Sequence, residues 1–212
     1  MVRSKAFTLI ELLVVIAVMV VLASILFPAL QRIRSEAHKT RCRNNLRQFA
    51  DAMQTYTIRL GNGTMFANPS DDFRGDAWLA TLYWEGFIEN KEIFRCPASN
   101  ANPSLLSEQR PAVLDASAVP ANATSYAGLS NSPAFSGQRT TQFTVSAISD
   151  TLSAMASDAA HEGRNHEDGI MVVYFGKHIQ FVSLAPEENI DYDYIGNPNA
   201  GIEELRYLDP GH

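Results

Sequence analysis

The chain opens with a stretch that is apolar at nearly every position, and then its pattern changes. The run "KAFTLIELLVVIAVMVVLASILFPAL" (Lys5–Leu30) has no charged residue from Leu12 onward and carries one carboxylate, Glu11, near its start. A helix needs about 20 apolar residues to cross a bilayer, and this run nearly supplies them. After Pro28 the pattern becomes one-sided. Cys42, Leu46, Phe49, Met53, Tyr56 and Leu60 succeed one another at spacings of four and three, while Arg43, Asn45, Gln48, Asp51 and Gln54 fall off that stripe. This is the period of an amphipathic helix with one buried face. Gly61-Asn62-Gly63 then ends it. A helix from Phe7 to Leu60 would be roughly 80 Å long at 1.5 Å per residue. The stripe covers fewer than three heptads, so packing on a sheet accounts for it better than a coiled-coil seam.

Beyond this helix the elements are short. Asp76 to Gly86 predicts a helix with Asp76 as N-cap and Trp78, Leu79, Leu82 and Tyr83 on one face. Residues 98–124 are rich in Ala, Ser, Asn and Pro and predict a long loop, and 128–141 a second irregular stretch. Strands are expected at Ser125–Leu129, Leu152–Ser157, Ile170–Phe175 and His178–Leu184. Gly176-Lys177 separates the last two, and Gly at the first central position suits a type II′ hairpin turn. The fold class is therefore α+β: a long N-terminal α-helix, transmembrane in its first half, packed against a small antiparallel β-sheet. The tail after Pro186 is acidic and turn-rich.

Composition refines this picture in three ways. The length of 212 residues suits one ordinary domain plus an anchor, and much of the 46% hydrophobic content lies in the first 30 residues. The formal net charge of -6 argues against nucleic acid as a partner. Positive charge is local, at Arg32, Arg34, Lys39, Arg41, Arg43 and Arg47, and reads as a solvated helix face near lipid head groups. The two cysteines, Cys42 and Cys96, are too few for a zinc cage or a disulfide framework. They either form one bridge in an oxidising compartment or stay as two buried thiols, and sequence does not give the Cα separation that decides.

Glu11 is the residue that a plain anchor does not explain, because a carboxylate at bilayer depth costs on the order of a few kcal/mol. A secretory signal peptide has a shorter apolar core of 7–15 residues, and a simple transmembrane helix leaves Glu11 without a role. The stretch "AFTLIELLVVIAVMVVLASILFPAL" resembles the N-terminus of type IV prepilins and type II secretion pseudopilins. The resemblance implies a basic leader, residues 1–6, ending at Ala6 where the family more often has Gly. It implies cleavage before Phe7 and N-methylation of the new Phe7 amine. Glu11 is then the fifth mature residue and Pro28 matches a proline frequent in the family. Glu11 would pair with the amine of a neighbouring subunit and set register in a filament, since an unpaired charge in apolar surroundings is costly. Pro28 would bring a kink or a locally melted turn. The flank after the span is more basic than the flank before it, which by the positive-inside rule alone would place the head in the cytoplasm. The prepilin pattern implies the opposite orientation.

The stretches "CRNNLRQFADAMQTY", "WLATLYWEGFIENKEIFRCPAS" and "HEDGIMVVYFGKHIQFV" resemble segments of a large class of pseudopilin-like proteins, with Gly176-Lys177 standing where that class usually has Asp-Gly. "HEGRNHEDG" is not the HExxH zinc signature, because His161 and His166 are five apart, roughly 140° around a helix. It reads as a structural hairpin. The ligands a metal would draw on there are His166, Asp168 and His178. For calcium they are Asp191 and Asp193, with Glu187 and Glu188. No catalytic residues and no required cofactor are expected, so the chain is not read as an enzyme.

These readings give four segments: leader 1–6, transmembrane and polymerisation helix 7–30, amphipathic continuation 31–60 and α+β head 61–212. The resemblance implies a lollipop-shaped structural subunit of a type II secretion or type IV pilus-like filament. Its partners would be the prepilin peptidase, further copies of itself, other pseudopilins and the inner-membrane assembly platform. It would cross the bacterial inner membrane once, with an extracytoplasmic head. The alternative is a membrane-tethered binding or metal-dependent domain that uses a prepilin-type export signal.

Overall fold

The computed structural model describes residues 8–61, 75–112, 118–120, 122–129, 154–157, 159–160, 163–166, 168–174, 176–183 and 208–209. Its contacts divide the chain into two compact units, Met1–Ala37 and His38–His212. The helix α1, Leu9–Arg59, contributes residues to both.

In the first unit every large apolar side chain between Leu9 and Ile33 is exposed. The segment is long and apolar enough to cross a membrane. Exposed apolar surface on this scale is unfavourable in water and needs lipid or protein around it. Pro28 lies inside α1, which continues through it, so the melted turn expected from the sequence is absent. Pro28 has no N–H to offer the Ser24 carbonyl, yet a single missing bond need not end a helix held by the turns on either side.

In the second unit the stripe on α1 is buried as its spacing requires: Cys42, Leu46, Phe49 and Met53 all lie in the core. The stripe ends one turn earlier than its sequence suggests, with Tyr56 partly buried and Leu60 exposed. The Leu60 and Gly61 N–H groups both donate to the Tyr56 carbonyl at 2.8 and 3.0 Å, closing the helix. Asn62 and Gly63 of the expected terminator lie outside the described residues. The helix α2, Gly75–Trp84, has Asp76 in its first turn, not at the cap, with Oδ1 accepting from the Ala77 N–H at 2.7 Å. Its end follows from Gly86, which takes φ +75°. The Gly86 N–H reaches the Tyr83 carbonyl and the Phe87 N–H the Leu82 carbonyl, the two bonds of a Schellman cap. Two short 3₁₀ turns, Lys91–Phe94 and Pro103–Leu105, add structure that the sequence reading did not expect.

The strands are β1 (Ala127–Leu129), β2 (Ala154–Ser157), β3 (Ala159–Ala160), β4 (Gly163–Arg164), β5 (Gly169–Tyr174), β6 (Ile179–Ser183) and β7 (Leu208–Asp209). Five form one antiparallel sheet in the order β6-β5-β2-β1-β7, and β3 pairs with β4 separately. The α+β class and the four longer strands agree with the sequence reading, and β3, β4 and β7 are additions of two residues each. All six residues of β5 are buried, which is why "GIMVVY" shows no polar alternation, whereas β6 at the sheet edge is half-exposed. The register of β2 against β5 shifts between Ala154 and Ala156, the mark of a bulge. Helix α2 lies so close to β1 that a Cβ on Gly128 would come 2.5 Å from the Gly75 carbonyl oxygen and 2.9 Å from Leu79 Cγ.

The turn joining β5 to β6 differs from the expected type II′. The Lys177 N–H donates to the Tyr174 carbonyl at 2.8 Å, the Tyr174 N–H donates to the His178 carbonyl at 3.1 Å, and Lys177 takes φ 62°. The left-handed residue is therefore Lys177, one position after the glycine, in a three-residue connection. The Lys177 ammonium bonds to Asp51 Oδ1 at 2.8 Å and to Gln54 Oε1 on α1, which ties the hairpin tip to the helix.

Candidate functional site

The start of α1 shows what holds Glu11. The Thr8 N–H and the Thr8 hydroxyl donate to Glu11 Oε2 at 2.9 and 2.7 Å, and the Glu11 N–H donates to Thr8 Oγ1 at 3.4 Å. Thr8 is thus the N-cap and Glu11 the N3 residue of a capping box. The pattern Thr-x-x-Glu before an apolar run signals this in the sequence, and the reading above missed it. Glu11 therefore has a local partner within its own chain. Ala6 and Phe7, the expected cleavage and methylation residues, lie outside the described residues.

The second cluster sits in the head. Cys42 on α1 and Cys96, just after the first 3₁₀ turn, form a disulfide with Cα atoms 5.3 Å apart. Neighbouring bonds hold the Cys96 segment in place. Asn45 Nδ2, one turn after Cys42, donates to the Arg95 carbonyl at 3.1 Å and to the Tyr126 hydroxyl at 3.0 Å. The Cys96 N–H donates to Ser125 Oγ at 2.5 Å, and the Ser125 N–H donates to the Phe94 carbonyl at 3.0 Å. Phe49 meets Phe94 and Tyr126 edge-on, with centroids 5.0 and 5.3 Å away. The segments "CRNNLRQ" and "FRCP" thus fold against each other, with Cys42, Asn45, Leu46 and Phe49 facing Phe94, Cys96 and Tyr126. The burial of that face follows from its apolar content and the paired polar groups within it.

His166 comes to the same place from the turn before β5. It is buried, and its Nε2 lies 3.8 Å from Cys96 Sγ. The donor atoms of Cys42, Cys96 and His166 all fall within 4.8 Å of one another. The set named from sequence, His166, Asp168 and His178, is not gathered in this way. Lys39 draws the Asp168 carboxylate into a 2.6 Å ion pair, and the His178 ring stacks on Tyr174 with centroids 4.2 Å apart. Burial pushes the Asp168 carboxyl up. The Lys39 bond, its own backbone N–H and the Lys39 charge oppose this and hold it below the usual range. Asp191, Asp193, Glu187 and Glu188, the expected calcium ligands, lie outside the described residues. Sequence did not reveal the Cys–Cys–His cluster, because it depends on three distant segments meeting.

No curated protein and no solved structure matches the chain. Residues 1–27 match the family model of the prokaryotic N-terminal methylation motif, the prepilin-type signal of type IV pilins and pseudopilins. Proteins with this motif are structural substrates rather than enzymes, and the apolar N-terminal helix is consistent with membrane insertion. The N-terminal methylation motif supports a pilin- or pseudopilin-type substrate of prepilin peptidase.

Proposed function

We propose that the chain is a structural subunit of a pilin-like filament, of type II secretion or type IV pilus type. It is inserted once in the inner membrane with its head outside the cytoplasm. Prepilin peptidase cuts between Ala6 and Phe7, the Phe7 amine is methylated, and the subunit polymerises through its apolar helix. The single observation that carries this reading is the methylation motif over residues 1–27, with Glu11 fifth counting from Phe7. Two features support it. The exposed apolar side chains from Leu9 to Ile33 need lipid or neighbouring helices as surroundings. The Cys42–Cys96 disulfide suits an oxidising compartment.

In this reading Glu11 has successive partners. The capping box with Thr8 satisfies its carboxylate in the monomer. In the filament the methylated amine of a neighbour takes over part of that role, and other pseudopilins and the inner-membrane assembly platform supply the remaining contacts. The test is intact-mass and N-terminal peptide analysis of the protein extracted from membranes of its native host. A mature chain beginning at methylated Phe7 is expected. A chain still beginning at Met1 overturns the reading.

A further inference from the structure

The buried cluster in the head brings a disulfide and an imidazole together. Cys42 and Cys96 are the chain's two cysteines, they are 0% exposed, and His166 beside them is 3% exposed. A bridge in an apolar core is stable among aliphatic side chains, and placing an imidazole in the core carries a desolvation cost. The three residues come from α1, from the segment after the first 3₁₀ turn and from the β-bridge of His166 with Gly169. Their convergence is a product of the whole head fold.

The geometry points to a second state of this site: with the bridge reduced, Cys42, Cys96 and His166 hold one Zn²⁺ ion. Reduction needs an external dithiol, or a phosphine that gives two electrons and leaves as its oxide with the oxygen of one water, whose two protons go to the sulfurs. A dithiol delivers two electrons and two protons to the sulfurs and leaves as its own disulfide. Zinc then displaces both thiol protons to water and takes one sulfur lone pair from each thiolate and one nitrogen lone pair from His166. Two ligands on one tetrahedral zinc, at about 2.3 Å for sulfur and about 2.0–2.1 Å for nitrogen, stand roughly 3.5–3.8 Å apart. For a sulfur and a nitrogen that separation is roughly 3.5–3.6 Å, and His166 Nε2 to Cys96 Sγ at 3.8 Å lies within about 0.3 Å of it. The two sulfurs must part and Cys42 Sγ must settle beside the imidazole, from which it stands within 4.8 Å, and Cα atoms 5.3 Å apart leave both to side-chain rotation. Charge selects the ion. Two thiolates and a divalent cation sum to zero, which a buried site tolerates, whereas Cu⁺ would leave a net negative charge in the core. Three protein ligands leave the fourth position to water. The inference is independent of the filament reading.

The experiment uses the full chain in detergent, reduced with a phosphine under nitrogen, and titrates Zn²⁺ against a chromogenic chelator. One zinc per reduced chain and none per oxidised chain is expected, with circular dichroism showing the native fold retained. His166→Gln is expected to weaken zinc binding by about tenfold or more, and Cys42→Ser to abolish the one-to-one site. X-ray absorption of the zinc form should show two sulfurs and one imidazole. Three results overturn the proposal: a reduced, folded chain that takes no zinc, a His166→Gln variant that binds as tightly as the parent, or loss of the head fold on reduction.

Discussion

Asn45 carries two bonds that cross from the long helix to the rest of the head, to the Arg95 carbonyl and the Tyr126 hydroxyl. Asn45→Ala leaves both without that donor, and a loss of about 1–3 kcal/mol is expected in urea unfolding of the detergent-solubilised chain. Gly128 is the other residue with a single strict requirement. A Cβ there meets the backbone oxygen of Gly75, which cannot swing aside like a side-chain tip. Gly128→Ala is expected to destabilise by roughly 1–3 kcal/mol, and an unchanged urea midpoint would refute the close approach of β1 to α2. Glu11→Ala should leave membrane insertion intact and lower filament yield in the native host. Filaments at parental levels would remove the register role given to Glu11. At this scale the sequence was informative where a residue acts locally. Glu11 announced itself by its apolar neighbours, and its capping partner Thr8 was present in plain pattern. Asn45 was visible as an off-stripe polar position and as part of a resemblance, but not as a bridge to the head, since its partners lie 50 and 81 residues away.

Helix α1 is legible from end to end because its two patterns, apolar all round and then striped, are long. Strands β5 and β6 are legible because β-branched and aromatic residues cluster in "GIMVVY" and "IQFVS". Strands β3, β4 and β7 have two residues each, too few to show any period, so only pairing partners define them. The β5–β6 turn failed for a different reason. Gly176 is the usual marker of a left-handed position, but the chain puts Lys177 there. A non-glycine pays roughly 1–2 kcal/mol for that conformation, and the ammonium's bonds to Asp51 and Gln54 offset part of it. The Cys42–Cys96 pairing was left open by the sequence, because no pattern reports a Cα distance. The bridge closes a loop with a sequence separation of 54. Replacing both cysteines by serine is expected to lower head stability by about 2–4 kcal/mol, read from guanidinium unfolding as a lower midpoint with a steeper slope, since the unfolded chain loses its cross-link.

At the scale of the molecule, charge pairs set the pH range of a stable head. Asp168 and Glu108 both titrate below their ordinary values of 3.8 and 4.5. For Glu108 the cause is first the Lys91 bond and then the Tyr83 hydroxyl. A carboxyl with a depressed folded pKa adds stability that is present above its unfolded value and lost as pH falls through the folded one. Lys91 and Tyr83 are both pushed up, each first by its bond to Glu108, from ordinary values of 10.5 and 10.0. Their contribution is present below those values and lost as pH rises through the folded ones. Stability should therefore be level between about pH 5 and 9 and fall outside that window. The fall should be modest because the carboxylates are largely exposed and screened. Urea midpoints at pH 3, 7 and 11 would check it, and an acid-side rise would contradict the ion-pair assignments. The apolar helix and the methylation motif of the N-terminal unit were readable in advance, since both are written in consecutive residues. The head was readable as a class but not as a site. The disulfide also has a mechanical consequence. Cys42 lies four residues after His38, where the head begins. Tension arriving along the helix from its N-terminal side therefore meets a covalent strut before it reaches the packing of Leu46, Phe49 and Met53. The pull passes straight into the Cys96 segment, so the helix cannot be peeled from the head by force unless the bridge is first cut.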